Sequence, residues 1–280
     1  MQSKNSLYLV IKRLSIFTLL TALFIVLIQD IMIFPGVFRT IPNKAPEGIE
    51  QFTAQTEDKE TIELLFKKGE KGKSLSGYSA VFMHGTFETV YSSVIILEWL
   101  SSLGLNSYVY DFRGFGNSTG WPSEKGISLD NRAVWGFIKE KEGIDASKLF
   151  IVGNSIGTGF AAELASEIKP HALILIAPYI DLPSVVGQNI LFRPLIPFLK
   201  YKIPTLEYLR STKNTCLVLA HGKRDEVIDF ANSEKMYSEL KGSKNIEFIV
   251  NEQSSHNDII FRASDELNRA LVGCVGNLGK

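Results

Sequence analysis

The first feature of the chain is an uninterrupted apolar stretch, Leu14–Ile28, which contains no charged residue. A helix that crosses a bilayer needs roughly 20 apolar residues. The stretch reaches this length if the helix begins near Leu7 and the basic side chains of Lys12 and Arg13 extend to the headgroups. The pattern therefore predicts a transmembrane helix within residues 1–34.

A cleaved signal peptide also has a basic start and an apolar centre. No small-x-small cleavage site follows the stretch here, because residues 29–32 are all large, so an uncleaved anchor is favoured over cleavage. The basic residues ahead of it predict a cytoplasmic N-terminus, with the rest of the chain on the periplasmic, lumenal or extracellular side. Arg39 and Lys44 beyond the stretch weaken this orientation.

After a linker rich in proline and glycine at residues 35–48, compact apolar runs recur along residues 49–280. Such runs, without polar alternation, are typical of strands buried on both faces of a sheet. The predicted strands are Glu50–Gln55, Thr61–Phe66, Tyr78–Met83, Ser107–Tyr110, Leu149–Val152, Ala172–Ile176, Cys216–Ala220 and Ile246–Val250.

Helical periodicity separates these runs. Ile156, Phe160, Leu164 and Ile168 recur every four residues, as expected for a helix that packs on a sheet. The alternation predicts an α/β domain with one mostly parallel, eight-stranded sheet flanked by helices. The other predicted helices are Val94–Leu103, Leu129–Lys141, Ser233–Leu240 and Asp258–Leu271.

Residues 179–214 interrupt the alternation with four prolines among apolar clusters. Long insertions in compact domains are often lids or binding loops. A lid or cap over a hydrophobic substrate and a helical excursion that only buries itself are both compatible with this pattern.

Charge and cysteine content narrow the functional classes. Thirty basic residues balance thirty acidic ones, so the chain lacks the basic excess of a nucleic-acid-binding protein. Two cysteines are too few for a disulfide framework or a cysteine-rich zinc site. Cys216, in an apolar run, is interpreted as a core residue, and Cys274 lies near a glycine-rich tail. With no H-E-x-x-H motif or close His/Asp cluster, we expect neither a metal nor a cofactor.

The segment Gly153–Gly157 matches the pattern G-x-S-x-G, with an apolar run before it and a helical pattern after it. In this context the glycines permit a sharp turn that exposes the serine hydroxyl above the sheet edge. The following helix directs its positive N-terminal end toward an anion that forms there. The pattern predicts Ser155 as a nucleophile.

A serine nucleophile needs a base, and the chain offers four histidines. His84 and His221 each precede a glycine at a strand end, which favours a role in positioning turns. His171, behind a proline, is interpreted as a structural or surface residue. His256 lies in the loop after the last strand and is the predicted base.

A carboxylate should orient this base. Asp225, which follows the strand that begins at Cys216, is the predicted acid, because it gives the chain order Ser, Asp, His. Asp229, Asp258 and the adjacent Glu226 are rivals.

The backbone N–H groups of Ile156 and Thr86 are the predicted oxyanion donors, with Phe87 as the alternative to Thr86.

Together these motifs resemble the α/β-hydrolase superfamily, and more narrowly its membrane-anchored serine hydrolases, which include monoacylglycerol and lysophosphatidylserine lipases. The resemblance implies an α/β-hydrolase fold, an N-terminal anchor, and Ser155, Asp225 and His256 as nucleophile, acid and base. The resemblance does not extend to residues 179–214, so it does not identify the substrate. Asp111 and Arg113 are interpreted as scaffold residues that brace the turn after a strand. The matching blocks are His84–Thr86, Asp111–Ser118, Pro122–Gly126, Gly153–Gly159 and the segments around Asp225 and His256.

The sequence thus predicts a serine hydrolase of carboxylic esters, with an acylglycerol, a lysophospholipid or another lipid-like or small ester as substrate. An acyl-protein or acyl-CoA thioesterase would use the same groups. A non-catalytic, membrane-tethered binding protein on the same fold is the remaining alternative.

Overall fold

A computed structural model describes residues 2–39, 44–243 and 245–277, and the side chains of all of these except residues 2–7, 22 and 277. Residue 1 of the predicted anchor, residues 40–43 of the predicted linker, and residues 244 and 278–280 of the predicted domain lie outside the described residues.

The described residues form eight strands of one sheet. Branched and aromatic side chains fill most of these strands, which favours the extended conformation. The strands are β1 Glu50–Gln55, β2 Thr61–Lys67, β3 Ser79–Met83, β4 Asn106–Tyr110, β5 Leu149–Asn154, β6 Ala172–Ile176, β7 Cys216–Gly222 and β8 Ile246–Asn251.

Helices connect most of the strands. Within the described residues, three short 3-10 helices accompany the α-helices; they are Pro35–Phe38, Ala146–Lys148 and Arg193–Phe198. The α-helices are α1 Gln2–Ile33, α2 Val94–Ser102, α3 Glu124–Glu142, α4 Gly157–Ile168, α5 Leu182–Gln188, α6 Thr205–Ser211, α7 Ala231–Leu240, α8 Ile259–Arg262 and α9 Ser264–Asn277.

The order of strands across the sheet is β1-β2-β4-β3-β5-β6-β7-β8. Strand β2 pairs antiparallel with β1 and β4, and the other pairs are parallel. The parallel strands therefore share one carboxyl edge, where the segments after β5, β7 and β8 meet. The predicted mostly parallel, eight-stranded sheet is confirmed.

Each face of the sheet carries one hydrophobic core. Ile151 of β5 faces the core closed by α3, α4, α6 and α7. Its neighbours Phe150 and Val152 face the core closed by α2, α8 and α9. This alternation explains why inner strands such as β5 and β6 are almost entirely apolar, since both of their faces are covered.

Helix α1 is the one helix among the described residues whose length and apolar composition would suffice to cross a bilayer, over Tyr8–Ile33. Signal sequences and buried core helices can have the same composition. Only 6% of its most apolar 18-residue window is buried, so α1 is not a core helix.

A disulfide joins Cys216, at the start of β7, to Cys274 in α9. Both cysteines are buried, as was predicted for Cys216. The sequence analysis did not predict the bond, because the partners are 58 residues apart and two cysteines do not resemble a framework. The bond attaches the C-terminal helix to the sheet.

Two helix predictions need correction. Helix α3 begins at Glu124 instead of Leu129, because the Ser123 hydroxyl caps it by accepting a hydrogen bond from Gly126 N. The single helix predicted over Asp258–Leu271 is two helices, α8 and α9, which are separated at Ala263.

Candidate active site

Ser155 lies in a sharp turn between β5 and α4. Its φ angle is +53°, a left-handed conformation that is strained for a residue with a side chain. The backbone holds this conformation through the hydrogen bond from Ser155 N to Ile176 O, at 2.9 Å. A Cβ atom on Gly157 would lie 2.2 Å from Met83 O, so only glycine fits where α4 passes the end of β3. These contacts explain the second glycine of the motif.

His256 and Asp225 lie next to Ser155. The distance from His256 Nε2 to Ser155 Oγ is 3.0 Å, and that from His256 Nδ1 to Asp225 Oδ2 is 2.8 Å. The three residues follow β5, β7 and β8, whose carboxyl ends share one edge of the sheet. The structure thus brings together the three side chains that the sequence analysis selected.

The carboxylate of Asp225 is completely buried. Burial by itself would raise its pKa, but hydrogen bonds from His221 and His256 outweigh this effect and hold the pKa of Asp225 well below its usual range. Its Oδ1 atom accepts hydrogen bonds from the backbone N–H groups of Val227, at 2.9 Å, and Ile228, at 2.7 Å. Asp225 is therefore ionised near neutral pH and firmly oriented.

His221 is a second histidine on the same carboxylate. Its Nε2 atom lies 3.1 Å from Asp225 Oδ2 and 3.0 Å from Ile228 O, both of which can only accept. Nε2 must therefore carry a proton. Nδ1 lies 2.5 Å from Ser233 Oγ, within hydrogen-bonding distance of this hydroxyl. Sequence analysis expected His221 to position a turn and missed its contact with Asp225.

Glu88 braces the loop after β3 against the turn at Ser155. Its carboxylate accepts hydrogen bonds from Gly85 N, at 2.6 Å, and from Asn154 Nδ2, at 3.2 Å. Sequence analysis assigned no role to Glu88. Its position three residues after Gly85 is the only signal in the sequence.

The His84 ring is buried beneath the same loop, 3.3 Å from Asp111 Oδ1. That atom also accepts a hydrogen bond from Val90 N. Arg113 pairs with Asp58 and Asp130. These contacts confirm that Asp111 and Arg113 brace the turn after β4.

The predicted oxyanion donors border one pocket with the predicted nucleophile. Ile156 is the N-cap of α4, where helical N–H groups lack partners within the helix. Thr86 and Ile156 line the same pocket as Ser155. Phe87, the alternative to Thr86, is not among the residues that line it, and its side chain is exposed.

We call this cavity of about 170 Å³ the apolar pocket. Apart from the hydroxyls of Thr86, Ser155 and Tyr179, its described lining is aliphatic, aromatic or thioether, and no described lining residue is charged. Such a surface suits a hydrocarbon chain. The lining residues are Met32, Ile33, Thr86, Ser155, Ile156, Tyr179, Leu182, Val185, Val227 and Ile228.

A second cavity of about 170 Å³ lies beside His256, and we call it the polar pocket. Its lining combines polar and aliphatic groups, and His256 borders this pocket and not the apolar pocket. Ser155 thus borders one cavity, and His256, which contacts Ser155, borders the other. The lining residues are Glu88, Ser92, Ser93, Ile95, Ile96, Asn154, His256, Asn257, Ile260 and Phe261.

The rival acids have other contacts. Asp229 caps the start of α7 through Ala231 N, and Asp258 binds Ser255 N and Arg262. Glu226 is exposed.

His171 packs against aromatic rings at the opposite end of β6. Among the described residues, no group of three or more His, Cys, Asp or Glu side chains is arranged to hold a metal ion.

Comparison with known proteins identifies the family to which this chain is similar. The model of the family described as serine aminopeptidase, S33, matches residues 78–217, which is half of the chain. Human α/β hydrolase domain-containing protein 17C is 30% identical over 188 residues, which are 66% of this chain and 54% of that protein. An uncharacterised protein of Mycobacterium tuberculosis is 30% identical over 159 residues, 57% of this chain and 56% of that protein. The chain therefore spans about half the length of these relatives.

Solved structures match the fold over most of the chain. An esterase of Pyrococcus furiosus superposes with a TM-score of 0.69 at 20% identity, covering 85% of this chain and 95% of the esterase. An α/β hydrolase of Vibrio vulnificus gives a TM-score of 0.68 at 18% identity, covering 80% and 81%. These matches and the family model show that the chain belongs to the α/β-hydrolase superfamily and, within it, to the family described as serine aminopeptidase, S33.

Proposed function

We propose that this protein is a membrane-anchored serine hydrolase that cleaves carboxylic esters of lipid-like acyl chains, with acylglycerols or lysophospholipids as its substrates. The observation that carries the proposal is the contact of Ser155, His256 and Asp225 at the edge of an uncharged, apolar pocket. A nucleophile, a base and an oriented acid are the groups that acyl transfer requires.

In the first half-reaction His256 Nε2 takes the hydroxyl proton of Ser155 as Oγ bonds to the carbonyl carbon of the ester. The carbonyl oxygen becomes an oxyanion, and the N–H groups of Ile156 and Thr86 stabilise it. Collapse of this intermediate breaks the bond to the leaving oxygen, which receives the proton from His256. The acyl group stays on Ser155, and the alcohol departs.

In the second half-reaction His256 removes a proton from water, whose oxygen attacks the acyl carbon. A second oxyanion forms and collapses, Ser155 regains its proton from His256, and a fatty acid leaves. The leaving group and the water must both reach His256, so we place them in the polar pocket and the acyl chain in the apolar pocket.

An uncharged acyl site argues against peptide substrates. An aminopeptidase must bind the α-ammonium group of its substrate on the acyl side of the scissile bond. A buried ammonium requires a negative partner, and none of the described residues that line the apolar pocket is acidic. An acyl thioester has the same acyl chain and would use the same groups, so an acyl-protein or acyl-CoA thioesterase is the second candidate.

We propose residues 179–214 as the lid. Leu182 and Val185 of this segment line the apolar pocket, whereas Ile190 and Leu191 expose most of their side chains. Other residues, such as Leu206 and Leu209, pack in the core, so only the first half of the segment has the character of a lid.

We propose that α1 remains attached and spans a membrane, with the hydrolase domain on the periplasmic, lumenal or extracellular side. The basic residues ahead of the apolar stretch favour this orientation. The Cys216–Cys274 disulfide supports it independently, because such bonds form and persist in oxidising compartments.

The test uses the purified full-length protein in detergent and a fluorophosphonate probe that labels activated serines. We expect mass spectrometry to find the probe on Ser155, and we expect Ser155→Ala or His256→Ala to lower ester hydrolysis by roughly 10⁶-fold. The exposed Ser102→Ala is the matched control and should keep wild-type rates. A panel of monoacylglycerols, lysophospholipids, acyl-CoA and S-acylated peptide separates ester from thioester cleavage.

Labelling that persists in Ser155→Ala, or near-normal turnover in that variant, would contradict the assignment. A protein that binds these lipids with no labelling and no turnover would be a tethered binding protein instead.

A further inference from the structure

The C-terminal end of α1 belongs to the hydrolase domain as well as to the apolar helix. Leu27 is 70% exposed, in keeping with a lipid-facing surface, whereas Gln29 is only 6% exposed and Phe34 is completely buried. The change from an exposed helix to a docked one therefore takes place within about two turns.

Polar contacts fix this end against Trp121 and against residues 198–201, in the second half of the 179–214 segment. Gln29 donates a hydrogen bond to Phe198 O, at 3.0 Å, and accepts one from Lys200 N, at 2.7 Å. Asp30 pairs with Lys200 Nζ, at 2.7 Å, and accepts hydrogen bonds from Tyr201 and from Trp121 Nε1. Five hydrogen-bonding groups of the domain thus meet two consecutive side chains of α1.

The chain after α1 then enters the core. The ring of Phe34 packs against the rings of Tyr201, Phe115 and Phe160, with centroid distances of 5.3, 6.4 and 6.5 Å. A Cβ atom on Gly36 would lie 2.9 Å from Thr86 O, so this segment also presses on the loop that carries a proposed oxyanion donor.

Between these two anchoring points, Met32 and Ile33 form one wall of the apolar pocket, and Leu182 and Val185 of α5 also line it. We propose that this end of α1 is part of the acyl-binding site. It lines the path by which a lipid of the surrounding leaflet brings its chain to Ser155. The proposal rests on the function proposed above and adds the source of the substrate and two residues that discriminate chain length.

Helix geometry places this wall at the bilayer surface. The 21 residues from Tyr8 to Ile28 extend about 31 Å, which matches the roughly 30 Å hydrocarbon layer of a bilayer. Ile33 lies five residues further on, or about 8 Å beyond that layer, within the headgroup region. Trp121 and Lys200, which contact Asp30, are residue types that favour this interface.

The small volume of the apolar pocket also supports a path for the acyl chain along α1. Its volume of about 170 Å³ is below the roughly 300–1,000 Å³ of sites that enclose a drug-sized ligand. A long acyl chain must therefore extend past the mouth of the pocket. Met32, whose side chain is 54% exposed, lies at that mouth, so the remainder of the chain can follow α1 back into the hydrocarbon layer.

The experiment compares a long ester, 1-monooleoylglycerol, with a short one, p-nitrophenyl acetate, on the full-length protein in one detergent. The measured quantity is the ratio of kcat/KM for the long ester to that for the short ester. We expect Ile33→Trp and Met32→Trp to lower this ratio at least about tenfold, because filled acyl space discriminates against long chains.

Leu27→Trp is the matched control, since it adds the same bulk to the lipid-facing side of α1, and it should leave the ratio within about twofold of wild type. Thermal unfolding in the same detergent verifies that each variant is folded, and Met32 is exposed enough to tolerate tryptophan. If both Met32→Trp and Ile33→Trp keep Ser155-dependent turnover with an unchanged ratio, the inference about α1 is overturned and the proposed function is not. Absence of Ser155-dependent turnover of either ester in the wild-type protein would overturn the proposed function and the inference with it.

Discussion

His221 gives a prediction whose size follows from the hydrogen bonds of Asp225. Replacement of His221 by leucine removes one of the two imidazole donors to the buried carboxylate and keeps an apolar side chain of similar size. A hydrogen bond to a charged group contributes roughly 1.5–3 kcal/mol. The Nε2–H group is shared between Asp225 Oδ2, at 3.1 Å, and Ile228 O, at 3.0 Å, so the lower end applies.

Without this hydrogen bond Asp225 is oriented less firmly, and we expect the activation free energy to rise by about 1.5–2 kcal/mol. A rise of this size lowers kcat about tenfold to thirtyfold. His221 lines neither pocket, so kcat and kcat/KM should fall together with little change in KM. Asp225→Asn removes the carboxylate itself and should cost about 10⁴-fold. The two variants therefore differ by orders of magnitude.

The assay is turnover of a p-nitrophenyl ester at neutral pH, accompanied by the urea midpoint of each variant. His221→Gln places an amide N–H near the former Nε2 position and should recover most of the activity. His221→Asn is shorter, keeps only the contact with Ser233, and should behave like His221→Leu. Equal activity of the Gln and Leu variants, or full activity in His221→Leu, would refute the role of His221 in orienting Asp225.

Two further predictions concern stability. Cys216→Ser combined with Cys274→Ser opens a loop with a separation of 58 residues and should lower the free energy of unfolding by about 4 kcal/mol. An unchanged urea midpoint, or free thiols in the wild-type protein, would contradict this. Burial by itself would lower the pKa of His84, but the hydrogen bond and charge of Asp111 outweigh it and raise that pKa above 6.5. The contribution of protonated His84 to the free energy of unfolding is therefore fully present below about pH 6.5, and it is lost as the pH rises through the folded-state pKa of His84. His84→Gln should abolish this decrease in the urea midpoint between pH 6 and 9.

The sheet and the contacts around Ser155 could be predicted because local patterns specify them. Strands β1 and β6 have the predicted bounds, Glu50–Gln55 and Ala172–Ile176, and the other strands differ by one or two residues at an end. Once the parallel order is known, the residues that follow Asn154, Gly222 and Asn251 must gather at one edge. The convergence of Ser155, Asp225 and His256 is a consequence of topology, although their catalytic role stays a prediction.

Features that depend on contacts between distant segments could not be predicted. Nothing near Cys216 indicates that its partner lies in the last helix. A histidine before a glycine does not reveal that His221 shares its carboxylate with His256. The His256 contact depends on how β7 and β8 pair, and the His221 contact depends on the conformation of the loop after β7. The end of α1 is a similar case, because Asp30 simply closes an apolar run in the sequence. Its partners Trp121, Lys200 and Tyr201 lie about 90 to 170 residues away.

The position of the α1 end also explains how a small pocket can serve a long substrate. Exposure of hydrocarbon to water costs about 0.8 kcal/mol per methylene, so transfer of a sixteen-carbon chain through water would cost roughly 12 kcal/mol. A cost of this size would suppress the reaction by many orders of magnitude. A chain that moves along Met32 and Ile33 crosses only about 8 Å between the hydrocarbon layer and the pocket wall, and both ends of this path are apolar. In the proposed arrangement, helix α1 would therefore reduce the energetic barrier to substrate entry in addition to holding the domain at the membrane.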